Sequence, residues 1–247
     1  MATAVEIAKF LDKELHLHDF EDSSCNGLQV ENSGNIKKIA FAVDACLETF
    51  QKAVENNCQM LIVHHGLIWY GLKNLTGINY EKAKYLIENN LALYAAHLPL
   101  DAHPKYGNNV QLAKLLSLQN LWPFGAPKKE IGVVGRRETT RIKVKEILHQ
   151  NRIKTQSLDF GNEKIRTIAI CSGGAASDLV YAIKKGADLF ITGEPLHYVY
   201  HQAKEAKVNV IFGGHYETEV WGVRALMPLL KDSFKVQTVF IDLPTLI

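Results

Sequence analysis

The sequence predicts an α/β fold built from two similar lobes. Short apolar runs alternate with segments of helical periodicity along most of the 247 residues. The pattern strand–helix–strand–helix–strand occurs once in each half of the chain. Polar side chains, mainly His and carboxylates, gather where the apolar runs end.

The first element is an amphipathic helix over about Ala4–Leu15, with Val5, Ile7, Ala8, Phe10, Leu11 and Leu15 near helical spacing. Asn26-Gly27 marks a turn into the strand-like Leu28-Gln29-Val30. Strand Ile39–Val43, a helix around Leu47–Asn56 and strand Met60–Val63 follow. A helix over Glu81–Asn90 then leads to strand Leu91–Ala95. The second half repeats the order with strand Ile168–Cys171, helix Ser177–Lys185, strand Leu189–Glu194, helix Tyr198–Ala206 and strand Val208–Phe212. Val220–Leu230 reads as a closing helix. Overlaying the halves puts Leu61-Ile62-Val63-His64-His65 on Leu189-Phe190-Ile191-Thr192-Gly193, and the exit at His97 near Gly214-His215. The expected organisation is a first lobe over residues 1–122, a connecting segment over 123–163 with a helix at Thr140–Gln150, and a second lobe over 164–247. The lobes are expected to form one compact unit.

Composition narrows the function. With 47% hydrophobic and 22% charged residues the chain reads as an ordinary soluble globular protein. Its 28 basic and 26 acidic side chains leave a net charge of +2, too little to favour nucleic acid or an anionic membrane. The basic pairs Lys128-Lys129, Arg136-Arg137 and Lys184-Lys185 are scattered and read as solvated faces. No stretch reaches the roughly 18 apolar residues of a membrane span, and the N-terminus lacks a signal-peptide pattern. The four cysteines show no paired spacing. A cytoplasmic location is the expectation.

Chemistry concentrates at three exits. His64-His65-Gly66 ends one apolar run, His97-Leu98-Pro99-Leu100-Asp101 another, and Gly214-His215-Tyr216-Glu217-Thr218-Glu219 a third. Open α/β sheets bind ligands outside the carboxyl ends of their strands, so three such exits point to one shared metal site. Adjacent strand residues face opposite ways, so both His64 and His65 can serve it only if the strand stops there. His215 and Glu219, four apart, share a face if a helix begins at His215. Each residue also has a plain structural role open to it, as a turn or cap residue. Three imidazoles and two carboxylates exceed what one catalytic zinc needs and suit two divalent ions roughly 3.5–4 Å apart. The loop Ser172-Gly173-Gly174 could cradle a phosphate, but a tight strand–helix turn explains its glycines more simply.

These segments, together with Asn26-Gly27-Leu28-Gln29-Val30 and Thr192-Gly193-Glu194, resemble the NIF-three-like family, whose members are often labelled GTP cyclohydrolase 1 type 2 homologs. They run in family order along essentially the whole chain. The resemblance implies a duplicated α/β fold, a toroidal homohexamer and two metal ions held by His64, His65, Asp101, His215 and Glu219. It places His97 beside the metals; His97 and Glu194 are the candidates for moving protons. The expected activity is hydrolysis of a nucleotide or related heterocycle by a metal-bound hydroxide. Imidazole plus carboxylate suits Zn, Mn, Fe, Ni or Co. A metal-delivery or regulatory ring without catalysis is the alternative, and a DNA-encircling toroid a third, which the near-neutral charge does not favour.

Overall fold

The computed structural model describes residues 2–71, 74–127 and 129–245; Lys128 of the first basic pair lies outside them. In chain order the elements begin with α1 (Ala4–Glu14), β1 (Gly27–Val30), β2 (Lys38–Asp44), α2 (Leu47–Glu55) and β3 (Met60–His65). Next come α3 (Gly77–Glu88), β4 (Ala92–Ala95), α4 (Leu98–Ala102), α5 (Asn108–Leu115) and β5 (Gln119–Ala126). They continue with β6 (Lys129–Thr140), α6 (Arg141–Gln150), β7 (Gln156–Asp159), β8 (Lys164–Ile170) and α7 (Leu179–Lys184). Last are β9 (Leu189–Thr192), α8 (Val199–Ala206), β10 (Asn209–Phe212), α9 (His215–Phe234) and β11 (Gln237–Phe240). The chain is mixed α/β, with two sheets in two compact units, Met1–Leu100 with Gly222–Leu243 and Asp101–Trp221 with Pro244–Ile247.

In the first unit the strand order is β1-β4-β3-β2-β11, with β1 antiparallel to β4 and the other pairs parallel. The inner stretches Ile39–Val43, Met60–Val63 and Ala92–Ala95 are apolar because both faces are covered, as parallel sheets require. On one face Ala40, Ala42, Leu61, Val63 and Leu93 meet Phe50 and Ala53 of α2 and Leu86 of α3. The alternate residues Phe41, Ile62 and Tyr94 are equally buried. Thr3 and Glu6 close a reciprocal capping box at the start of α1.

The second unit has the order β5-β6-β8-β9-β10-β7. Strands β8, β9 and β10 are parallel, and β7 runs antiparallel beside β10. Phe190, Val210 and Phe212 point to one core, with Leu179 and Ala182 of α7 and Ala203 of α8. Leu189, Ile191 and Ile211 point to the other, with Leu112 of α5 and Leu148 of α6. The period of two along each strand divides the cores. The arrangement β7-β10-β9-β8 matches β1-β4-β3-β2: three parallel strands with one antiparallel strand at the same edge.

Several boundaries differ from the sequence pattern. Strand β3 runs through His64 and His65 instead of stopping at Val63, and Asp44 of β2 pairs with His65. Helix α3 starts at Gly77, four residues before Glu81. Residues 123–163 contribute β6 and β7 to the six-stranded sheet as well as α6. No helix among the described residues is long and apolar enough to cross a membrane.

Candidate metal centre

In the first unit the donors sit where β3 and β4 end. Although His64 and His65 follow one another in a strand, their ring centroids are 4.7 Å apart. Each leans toward a different neighbouring strand. His64 Nδ1 lies 2.8 Å from the Ala96 carbonyl oxygen just beyond β4. His65 Nδ1 lies 2.8 Å from Asp44 Oδ1 at the end of β2. A carbonyl or carboxylate oxygen only accepts, so Nδ1 carries a proton in both rings. His97 follows the same rule, with Nδ1 2.9 Å from Asp22 Oδ1. The His64, His65 and His97 rings offer ligand nitrogens within 4.8 Å of one another.

Asp22 is the anchor for His97. It accepts from Asn26 Nδ2 and from the backbone N–H groups of Ser24 and Leu98. Burial raises its carboxyl pKa, but the hydrogen bonds from His97 and Asn26 outweigh burial and hold it well below the usual carboxylate range. Asn26 also takes the His97 backbone N–H, which explains why Asn26-Gly27 belongs to the site. The Gly27 φ of +104° lets the chain turn from that anchor into β1. Gly66, directly after the pair, is packed so tightly that a Cβ would overlap the Gln29 side chain and come within 2.7 Å of the Ala95 methyl.

In the second unit α9 begins at His215, so His215 and Glu219 do share a face one turn apart. His215 Nε2 is 3.1 Å from Glu219 Oε2, while its Nδ1 is 2.6 Å from Glu194 Oε1. Burial lowers the His215 imidazole, but the Glu219 and Glu194 carboxylates outweigh it and push the pKa up to about 9. The surroundings of this ring therefore favour positive charge.

Asp101, in α4, accepts hydrogen bonds from Asn108 Nδ2 at 2.8 Å and Ser172 Oγ at 3.2 Å. Carboxylate oxygens of Asp101 and Glu219 lie within 4.8 Å of each other, and both residues are at least 95% buried. Carboxylates this close could help to hold a metal ion. The glycine loop after β8 is a packing turn rather than a phosphate cradle. Gly173 (φ +66°) gives its N–H to Thr218 Oγ1, its carbonyl accepts from the Gly193 and Glu194 amides, and a Cβ there would overlap Glu219 Oε1. His103, at the same exit as Asp101, is a turn residue whose Nδ1 accepts from the Lys105 and Tyr106 amides.

Each unit thus groups the residues that the exits nominate: imidazoles in the first, carboxylates and His215 in the second. The set could hold a borderline divalent ion such as zinc, manganese, iron, nickel or cobalt. Anchoring the remote nitrogen of a ligand histidine on a carboxylate or carbonyl is the usual way proteins orient such a ring. The anchors Asp44, Asp22, Asn108 and Ser172 lie outside the sequence-nominated set. A family model for Duf34/NIF3 (NGG1p interacting factor 3) matches residues 2–245.

The chain belongs to the Duf34/NIF3 family.

A relative from Pyrococcus abyssi, named GTP cyclohydrolase 1 type 2 homolog, is 45% identical over 97% of this chain and 98% of its own. Among solved structures, protein ybgI, of unknown function, superposes with a TM-score of 0.92 at 31% identity, covering all of both chains. TTHA1606 from Thermus thermophilus gives 0.90 at 37% identity over 99% of each chain. This Duf34/NIF3 chain therefore matches these relatives along nearly their whole length.

Proposed function

We propose that this Duf34/NIF3 chain is a dinuclear metal-dependent hydrolase acting on a nucleotide or related heterocycle. The observation that carries the proposal is the buried Asp101–Glu219 carboxylate pair together with imidazoles whose Nδ1 atoms are already committed to acceptors. The name of the Pyrococcus abyssi relative supports the substrate class. His64, His65, Asp101, His215 and Glu219 would hold two divalent ions. Ions of this class, when bound, polarise a substrate and lower the pKa of water. The chain's own residues would supply the rest. His97, its tautomer fixed by Asp22, would take or give a proton at Nε2. Glu194 would orient His215 with one oxygen, and its partly exposed carboxylate would exchange protons with solvent. The chain is also proposed to act in the cytoplasm and, by its resemblance to the family, as a homohexamer.

The test is turnover by metal-loaded protein across a panel of nucleotides and heterocycles, with Glu219→Gln as control. Turnover that is lost with the metal supports the hydrolase. Metal binding with no turnover on any substrate would replace it with a metal-binding or delivery role.

A further inference from the structure

The turn leading into α8 and the first turn of α8 itself carry a second pair of imidazoles that the proposed centre does not use. His197 and His201 are four residues apart, with His197 in the turn that leads into α8, where Tyr200 N–H donates to the His197 carbonyl and Gln202 N–H to that of Tyr198. The ring centroids are 6.5 Å apart. Val199 and Ala203 are fully buried, which fixes this segment so that His197 and His201 face outward, and both are exposed.

The environment differs from that of the four anchored histidines. Among the described residues neither His197 nor His201 makes a side-chain hydrogen bond or ion pair; their recorded neighbours are one another's rings and Tyr200, 5.3 Å from His201. Both rings can therefore turn about their χ angles to bring two nitrogens onto one ion. Lys204, the nearest basic residue on the following turn, lies over the Tyr200 ring.

We propose that His197 and His201 chelate a borderline divalent transition-metal ion, in addition to the centre described above. Two neutral nitrogen donors favour Cu2+ first, then Ni2+ or Zn2+, and give no purchase to Mg2+ or Ca2+. Solvent water completes the coordination, so the ion at this site exchanges readily and is open to capture from, or release to, an external ligand.

A copper–iminodiacetate complex tests the site, because the chelator leaves positions open for two more nitrogens yet cannot reach buried donors such as His64 and Glu219. Titration of the full chain, followed by copper electron paramagnetic resonance, should show one equivalent with nitrogen splitting from two imidazoles. His197→Gln and His201→Gln should each weaken binding by at least about tenfold, since a chelating pair gains from the second donor acting intramolecularly. The double variant should lose the site altogether, and His18→Gln, elsewhere on the surface, should leave binding unchanged. Wild-type affinity in either single variant overturns the site. So does a titration in which wild type takes up two equivalents and each single variant one at unchanged affinity, which would mean two independent monodentate histidines.

Discussion

Asp44 accepts a hydrogen bond from His65 Nδ1–H, and Asp22 accepts one from His97 Nδ1–H. An anchor of this kind sets ring orientation and ligand basicity, and its loss typically costs about 10–100-fold in metal affinity. Asp44→Ala is therefore expected to weaken metal binding by about that factor, measured by competition with a chelator, while the fold survives. Unchanged affinity would remove His65 from the ligand set. Gly173 makes the second residue-scale prediction. Its left-handed backbone and the overlap a Cβ would make with Glu219 both act against Gly173→Ala. A loss of about 1–3 kcal/mol in denaturant stability is expected, with weaker metal retention; a midpoint equal to wild type would show that Glu219 is free to move aside. The anchors differ in how visible they are in sequence. Asp44 closes the apolar run Ile39–Val43 and obeys the same exit rule as His64. Asp22 sits in a polar stretch whose pattern points nowhere, and its role exists only once Asn26 and His97 are brought to it.

At the scale of elements, α6 shows what local signals can do. Thr140 accepts from Lys143 N–H as its N-cap, and the helix runs to Gln150, as the sequence pattern predicts. Strands β6 and β7 are harder to see. Gly132, Gly135 and the run Arg136-Arg137-Glu138 break the alternation of β6, and four-residue β7 is exposed at a sheet edge. Strand β11 carries only four residues and gains its meaning from pairing with β2. What ties α6 to the edge strand is charge. Arg141 meets Asp159 at 3.3 Å and Glu163 at 3.0 Å, and Lys145 meets Asp159 at 3.2 Å. Burial raises the Asp159 carboxyl, but hydrogen bonds from Ser157 and Lys145 and the charges of Lys145 and Arg141 outweigh it, so its pKa is lowered from 3.8. A folded-state pKa below the unfolded one stabilises the fold above the unfolded value, and the contribution fades as pH falls through the folded one. Asp159→Asn should therefore melt below wild type at neutral pH, with the gap closing in acid below about pH 4. A gap that stays constant down to about pH 2, below the ordinary Asp range, would rule out the ion pairs as its source.

For the whole molecule, ion binding and assembly are the quantities to measure. An ion that binds only the folded chain stabilises it by about 2.7 kcal/mol at a hundredfold excess over its dissociation constant. Chelator treatment is expected to lower the melting temperature of wild type and to leave Glu219→Gln nearly unmoved; equal shifts in both would place the stabilising ion elsewhere. Elemental analysis should find about two divalent ions per saturated chain, and light scattering a mass six times that of the chain. A monomer mass at micromolar concentration would overturn the ring. The alternation of apolar runs made the two parallel cores legible, and the exits of those runs hold side chains that could bind a metal. The shared four-strand arrangement was visible only as a weak repeat, because β1 and β7 are too short to carry a period. The tied histidines also have a consequence in time. Since protein oxygens hold the Nδ1 protons of His64, His65 and His97, these rings need neither a flip nor a tautomer exchange when an ion arrives. The clock for loading is then the ion's own release of water, and in rapid-mixing experiments different divalent ions should enter in the order of their water-exchange rates.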